Sequence, residues 1–415
     1  MTAPDDEQPE GPAGQRLAVR LTKDAQRQVR GGHPWVFDGS IVSLKPEGRA
    51  GDLAVIFDDD RKFMAIGLYD PASPIRIKVL HRGKPLPIDA AFWRQRFAEA
   101  IERRSGLIDS SATTAYRLVH GENDQLPGLV LDQYDTTSVL KLYSAAWIPH
   151  LPTVMATLDE LIHPKSLILR FARNVAAADT GGMVDGFALI GVAPEAPVRF
   201  LENDLAFDAD VVHGQKTGHF LDQRDNRLEV RSRSEGARVL DVFSCTGWFS
   251  VNAAAGGAAS VHSVDVSPHA IEACRANMAA NTAIAFVSSC EHSVTRGDAF
   301  ATMEAMIGRG ERFDLVIVDP PSFASSQGQV DVAIRSYERL AELAVGLIEP
   351  GGTLVSCSCS SRVTGEEFFD AVHRGAGRGR ARLLDETHRG HGIDHPIGFA
   401  QGAYLDALFA RVQHI

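Results

Sequence analysis

Residues 239–265, VLDVFSCTGWFSVNAAAGGAASVHSVD, decide the fold. A short apolar run, VLDVF, ends in a turn containing Gly247; a helix is expected over 248–256, and a second strand-like run, SVHSVD, follows. The alternation continues downstream with a helix over 268–280, a strand at IAFVSS, a helix after Asp298, a strand at DLVIVD, a helix over 330–348 and a strand at TLVSCSC. Short apolar runs with a helix between each pair are what a parallel sheet covered on both faces requires. The last strand, YLDALFARV, is expected after a long irregular stretch.

Upstream of this α/β region the pattern is different. LAVRL, GGHPWVF, SIVSL, GDLAVIF, FMAIGLY and IRIKVL are short runs punctuated by Gly, Pro and Asp, which predicts a small β-barrel over residues 16–85. Arg27, Arg30, His33 and Trp35 fall together at one early turn, where a basic, aromatic face for RNA could form. Phe92, Trp93, Phe97 and Ile101 recur at helical spacing and read as the packing stripe of a helix. Hairpin strands around Gly121–Asp124 and Asp135, and β-type runs to about residue 212, make 86–212 a second, mixed α+β unit. Residues 1–15, rich in Pro, Gly and acids, read as a disordered tail.

The 415 residues, 44% hydrophobic and 23% charged, have globular composition and suggest two or three domains. No run approaches the ~20 apolar residues of a membrane span. The acidic N-terminus is unlike a signal peptide, so a cytoplasmic protein is expected. Five cysteines without a Cys-x-x-Cys spacing argue against a disulfide framework and against a metal site. The net charge of -11 argues at first against nucleic acid, but its distribution does not. Residues 16–105 carry 17 Lys and Arg against 11 Asp and Glu, so basic charge gathers near the front, as an RNA-binding face or as a merely solvated one.

Ligands of open α/β sheets bind beyond the carboxyl ends of the strands, so those ends are where chemistry is sought. No Gly-x-Gly-x-x-Gly follows the first strand, which counts against a dinucleotide dehydrogenase. Asp265 closes the second strand and suits ribose hydroxyls, although a cap before Ser267 and Pro268 is an equal reading. Asp298 either accepts from an adenine amino group or caps the next helix. Asp319-Pro-Pro-Ser-Phe323 is more specific: two prolines remove two donors and stiffen the turn that presents the carboxylate, and the motif resembles that of methyltransferases acting on a planar nitrogen base. Cys357 and Cys359 alternate at the fifth strand's end, on one face by the period of two, and at most one needs to be reactive.

VLDVFSCTGWFS, SVDVSPHAIEACRANMAAN, RGDAF, DLVIVDPPSF and GGTLVSCSCSS, in this order, resemble class I S-adenosylmethionine-dependent methyltransferases. More closely, the chain resembles bacterial large-subunit ribosomal RNA cytosine-5 methyltransferases with an N-terminal PUA domain. HPWVFDGSI, RLVHGENDQLPGLVLDQYD, GQKTGHFLDQRDNR (214–227) and HPIGFAQGAYLDALFARV carry the likeness over about residues 16–415. The resemblance implies an α/β Rossmann-like methyltransferase domain over 213–415, preceded by a PUA β-barrel and the middle domain. It also implies S-adenosylmethionine as cofactor and ribosomal RNA or a ribosomal particle as partner, with no membrane partner and with a homodimer left open.

The same resemblance places the nucleophile on Cys359, where Cys357 stands at a position usually apolar in the family. It implies cofactor contacts from Phe243, Ser244, Thr246, Gly247, Asp265, Asp298, Asp319 and Pro320, with Lys216, Phe220 and Gln223 as a lid over the methionyl side. Arg224 is suited either to a carboxylate or to a structural ion pair. Carbon 5 of cytosine needs a thiolate on carbon 6 before it takes a methyl group. Cys359 and Asp319 are the expected catalytic pair, and no residue is assigned to the carbon 5 proton. Two rivals stand beside this reading: a methyltransferase of an exocyclic amine or guanine nitrogen, and a non-catalytic RNA-binding assembly factor.

Overall fold

The computed structural model describes residues 14–324 and 326–415, so the expected tail lies outside the described residues except for its last two. The described residues form two compact units, one of those up to Arg199 together with Ala209–His219 and Asp394–Phe399, the other of those within Phe200–Asp208, Phe220–Ile393 and Ala400–Ile415.

In the first unit, β1 (Arg16–Leu21), β2 (Trp35–Phe37), β3 (Ile41–Lys45), β4 (Leu53–Phe57), β5 (Phe63–Tyr69) and β6 (Ile75–Arg82) form a six-stranded sheet of order β2-β6-β5-β4-β1-β3. The alternation in β1 buries Leu17, Val19 and Leu21 and leaves both its arginines exposed. Between β1 and β2 the chain is a helix, α1 (Lys23–Arg30), where a turn was expected. The helix is short and its only apolar residues are Ala25 and Val29, so periodicity hides it; Thr22 starts it by accepting the Ala25 N–H.

After it come α2 (Ala90–Glu102), α3 (Ser105–Ile108), β7 (Ala115–His120), β8 (Leu129–Tyr134), β9 (Thr137–Leu142), α4 (Leu151–Ile162), β10 (Ser166–Phe171), α5 (Arg173–Ala176) and β11 (Ala188–Ile190). Their strands form a sheet of order β11-β10-β9-β8-β7. Helix α2, capped by Asp89, buries Phe92, Trp93 and Phe97, and Trp93 lies 5.1 Å from Trp147 between ring centres. Arg104 grips Asp124 bidentately at 2.9 and 2.8 Å with both side chains fully buried. The late segment 394–399 belongs to this unit: the Asp394 carbonyl accepts from Arg104, and its carboxylate accepts the Arg117 N–H at 2.9 Å. Strands β12 (Val198–Glu202) and β13 (Leu205–Ala209) form a separate two-stranded sheet.

The second unit holds α6 (Arg224–Ser232), β14 (Arg238–Val242), α7 (Trp248–Ala255), β15 (Ser260–Asp265), α8 (Pro268–Ala280), α9 (Ala285–Ser289), β16 (Glu291–Arg296), α10 (Ala299–Gly308), β17 (Phe313–Val318), α11 (Val330–Gly346), β18 (Ile348–Ser358), α12 (Gly365–Arg378), β19 (Ala381–Arg389) and β20 (Asp406–His414). The sheet order is β16-β15-β14-β17-β18-β20-β19, with β14 through β18 parallel and β20 antiparallel to both neighbours. The order reverses between β14 and β17, which makes their carboxyl ends the topological switch point.

Two expectations fail here. IAFVSS is not a strand: it gives the short helix α9, and the polar run EHSVTR is the edge strand β16. The stretch expected to be irregular contains α12 and β19; a Thr364–Glu367 capping box starts α12, whose three glycines weaken its helical signal. Among the described residues no helix is long and apolar enough to cross a membrane.

Candidate active site

The turn after β14 is built from three left-handed residues, Phe243 (φ 64°), Cys245 (φ 49°) and Gly247 (φ 78°). A side chain at Gly247 would collide with Cys274 of α8, so both the backbone angle and the close approach require glycine. Asn277 of α8 donates to the Thr246 carbonyl at 2.9 Å and holds the turn from below. Around it Asp241 Oδ1, Ser244 Oγ and Thr246 Oγ1 are buried without a hydrogen-bond partner among the described residues. Buried polar atoms are normally satisfied, so their concentration in one strand-end turn fits a polar ligand such as S-adenosylmethionine.

Asp265 ends β15 with its carboxylate fixed by two backbone donors, Cys245 N at 2.9 Å and Ser267 N at 2.8 Å. It therefore joins the β14 turn to the start of α8, with lone pairs left for ribose hydroxyls. Asp298 is exposed and its carboxylate caps α10, accepting from Ala301 N at 3.0 Å. Burial, opposed by the Ser250 hydroxyl, pushes the Asp241 carboxyl up to about 7. Ser250 donates to it at 2.6 Å and shares a 2.7 Å hydrogen bond with Ser263.

At the end of β17, Asp319 Oδ1 accepts from Gln223 Nε2 at 3.1 Å, and Gln223 is in turn held by Asn226 at 2.6 Å. Gln223, expected as part of a lid, is thus a direct partner of the Asp-Pro-Pro carboxylate. Phe220 packs on Trp248, at 5.4 Å between ring centres. Lys216 lies in the first unit, exposed, with φ 52° and its carbonyl accepting from Lys141. Arg224 faces Asp225 at 3.3 Å.

Cys359 follows the last residue of β18, partly exposed, with Sγ 3.7 Å from the Pro320 carbonyl oxygen. Cys357 is wholly buried within the strand. Burial pushes its thiol well above the ordinary range, and raises Cys245 to about 11 and Cys274 to about 12. Such thiols stay protonated at neutral pH, and a protonated thiol is a poor nucleophile.

In the first unit, Arg27 and Arg30 are exposed on α1, Arg27 paired with Asp24 at 2.8 Å. His33 and Trp35 join Phe37 and Phe399 in an aromatic cluster in which Trp35 and Phe399 are 5.1 Å apart, and Trp35 Nε1 donates to Glu122 at 2.8 Å. Sequence reasoning missed Phe37 and Phe399. Phe37 was legible in HPWVF, but Phe399 comes from a distant segment that no periodicity connects to Trp35. It also missed Asn277, whose role is a tertiary contact.

Residues 188–380 match the family described as S-adenosylmethionine-dependent methyltransferase, and residues 19–82 match a PUA-like domain. In fold the chain is similar to a protein of Streptococcus mutans described as a SAM-dependent methyltransferase (TM-score 0.80, 20% identity, 95% of this chain and 99% of that one). A second solved structure, described as a methyltransferase complexed with SAH, is similar at TM-score 0.81 and 20% identity, over 96% of this chain and 100% of that one. The Ribosomal RNA large subunit methyltransferase I of Shigella boydii is 34% identical over 95% of this chain and 100% of its own length. The Ribosomal RNA large subunit methyltransferase of Deinococcus radiodurans is 43% identical over 96% of this chain and 98% of its own length. With that identity across nearly the whole of both sequences, the chain belongs to the family of S-adenosylmethionine-dependent ribosomal RNA large subunit methyltransferases.

Proposed function

We propose that this protein methylates carbon 5 of a cytosine in large-subunit ribosomal RNA, in the cytoplasm, with Cys359 as nucleophile. The observation that carries the reading is the 3.7 Å approach of Cys359 Sγ to the Pro320 carbonyl, which brings a thiol to the Asp-Pro-Pro turn at the switch point of the sheet. S-adenosylmethionine supplies an electrophilic methyl group when bound, and Ser244, Thr246, Gly247 and Asp265 are the residues that would hold it.

The Cys359 thiolate adds to carbon 6 of the base, breaking the 5,6 double bond and leaving carbon 5 electron-rich enough to accept the methyl group. Asp319, steadied by Gln223 and the two prolines, orients the base through its N3 and N4 edge. A solvent water then takes the carbon 5 proton, the electron pair of that C–H bond restores the double bond, and the bond between Cys359 sulfur and carbon 6 breaks to release the thiolate. The aromatic cluster around Trp35, with Arg30 on α1, supports RNA binding by base stacking and phosphate contact.

The test is the product. Nucleoside mass spectrometry of large-subunit RNA treated with the enzyme should show 5-methylcytidine. A methylated exocyclic amine or guanine nitrogen in its place would favour non-covalent chemistry at Asp319, and no methylation at all would favour an assembly factor.

A further inference from the structure

Tyr337 is nearly fully buried on α11, and its hydroxyl shares a 2.9 Å hydrogen bond with Ser358 Oγ. Its ring packs against Phe323, 5.2 Å between centres, and against Phe368 of α12 at 5.0 Å. Phe323 ends the Asp-Pro-Pro-Ser-Phe turn, and Ser358 is the residue before Cys359. One side chain therefore touches both segments that meet at the thiol. On the other side of Cys359, Ser360 Oγ accepts the N–H groups of Arg362 and Val363, each at 3.3 Å. Both serines that flank Cys359 are tied inward, and its sulfur is left beside Pro320.

We infer that Tyr337 is a positioning residue for Cys359: through Ser358 it sets the exit of β18, and through Phe323 it sets the Asp-Pro-Pro turn against that exit. The inference rests on the reading of Cys359 as nucleophile. Burial raises the tyrosine hydroxyl above its ordinary range, with the nearby Cys359 and Asp319 acting in the same direction, so it stays protonated and able to donate. The Ser-Cys-Ser sequence then has a physical rationale, since small hydroxyl side chains on both sides of the cysteine fix its backbone without covering the sulfur.

The test uses the full-length protein and RNA bearing 5-azacytidine, with the rate of covalent adduct measured at saturating RNA. Tyr337→Phe keeps the ring and its packing and removes only the hydrogen bond. The adduct rate should fall roughly 10- to 100-fold, as sub-ångström to ångström misplacement of a reacting atom does. Cofactor affinity by calorimetry and the RNA concentration for half-maximal rate should stay as in the unchanged protein. Ser358→Ala should lower the rate similarly, and the double variant should be little slower than either alone. An unaltered rate in Tyr337→Phe overturns the inference, as does a loss of cofactor affinity parallel to the loss of rate, which would mark a general structural role. If the unchanged protein forms no adduct, it is the cysteine reading itself that fails, and the positioning role falls with it.

Discussion

Cys359 and Cys357 are two residues apart and differ in exposure: the first, partly exposed, reaches the Pro320 carbonyl at the strand end, and the second is buried within the sheet beside Gln223 and Asp319. Cys357 carries no exposure that chemistry could use, and its thiol is held protonated by burial. Cys357→Ala should therefore keep adduct formation and lose about 1 kcal/mol of stability through the small cavity left behind, read by urea denaturation.

Asp265 joins two backbone donors and faces the turn proposed to hold the cofactor. Asp265→Ala should weaken S-adenosylmethionine binding by roughly 1–3 kcal/mol in calorimetry. Unchanged affinity would remove Asp265 from the site.

The Asp241 carboxyl is raised to about 7, from an ordinary value near 3.8 that the unfolded chain retains. The folded state thus binds the proton more tightly, and this group's stabilising contribution, complete in acid, is lost as pH climbs from about 4 through 7. Asp241→Asn, neutral at every pH, should gain stability over the unchanged protein above pH 7, with the difference shrinking toward pH 4. Melting temperatures across pH without cofactor check this; a difference independent of pH would contradict it.

Asp124 accepts from Arg104 twice, from Arg103 at 2.8 Å and from the His120 N–H at 2.6 Å, all while fully buried. Asp124→Ala would strand the buried Arg104 guanidinium and should cost about 3–5 kcal/mol in denaturant unfolding. A loss below about 1 kcal/mol would mean that solvent reaches the pair.

If the Trp35 cluster stacks on RNA, Trp35→Ala should weaken RNA binding by about 1–3 kcal/mol, and Arg30→Ala should lower its salt dependence, in both cases with cofactor affinity unaltered. Unchanged binding in filter or anisotropy assays would leave the cluster with a packing role.

The parallel sheet is legible because its central strands, such as Phe313–Val318, are apolar on both faces and short. Asp319 is legible for the same reason, as it directly follows such a strand, and Asp265 because it closes the next strand-like run after the Gly247 turn and its helix. IAFVSS misleads since a brief apolar run fits helix and strand alike, and β16 escapes notice because an edge strand can be polar. Helix α12 carries glycines that packing tolerates: Gly375 lies against the Glu338 backbone, where a side chain would not fit. The Tyr337–Ser358 hydrogen bond and the placement of Phe399 beside Trp35 join residues 21 and 364 positions apart, which no local pattern encodes.

The most direct test of the account is covalent trapping on 5-azacytidine RNA with the two single-cysteine variants side by side. The unchanged protein and Cys357→Ala should each form a denaturant-resistant adduct in the presence of S-adenosylmethionine, and Cys359→Ala should form none while still binding the cofactor. An adduct formed by Cys359→Ala, or none formed by the unchanged protein while it methylates RNA, would contradict the assignment of Cys359 as nucleophile.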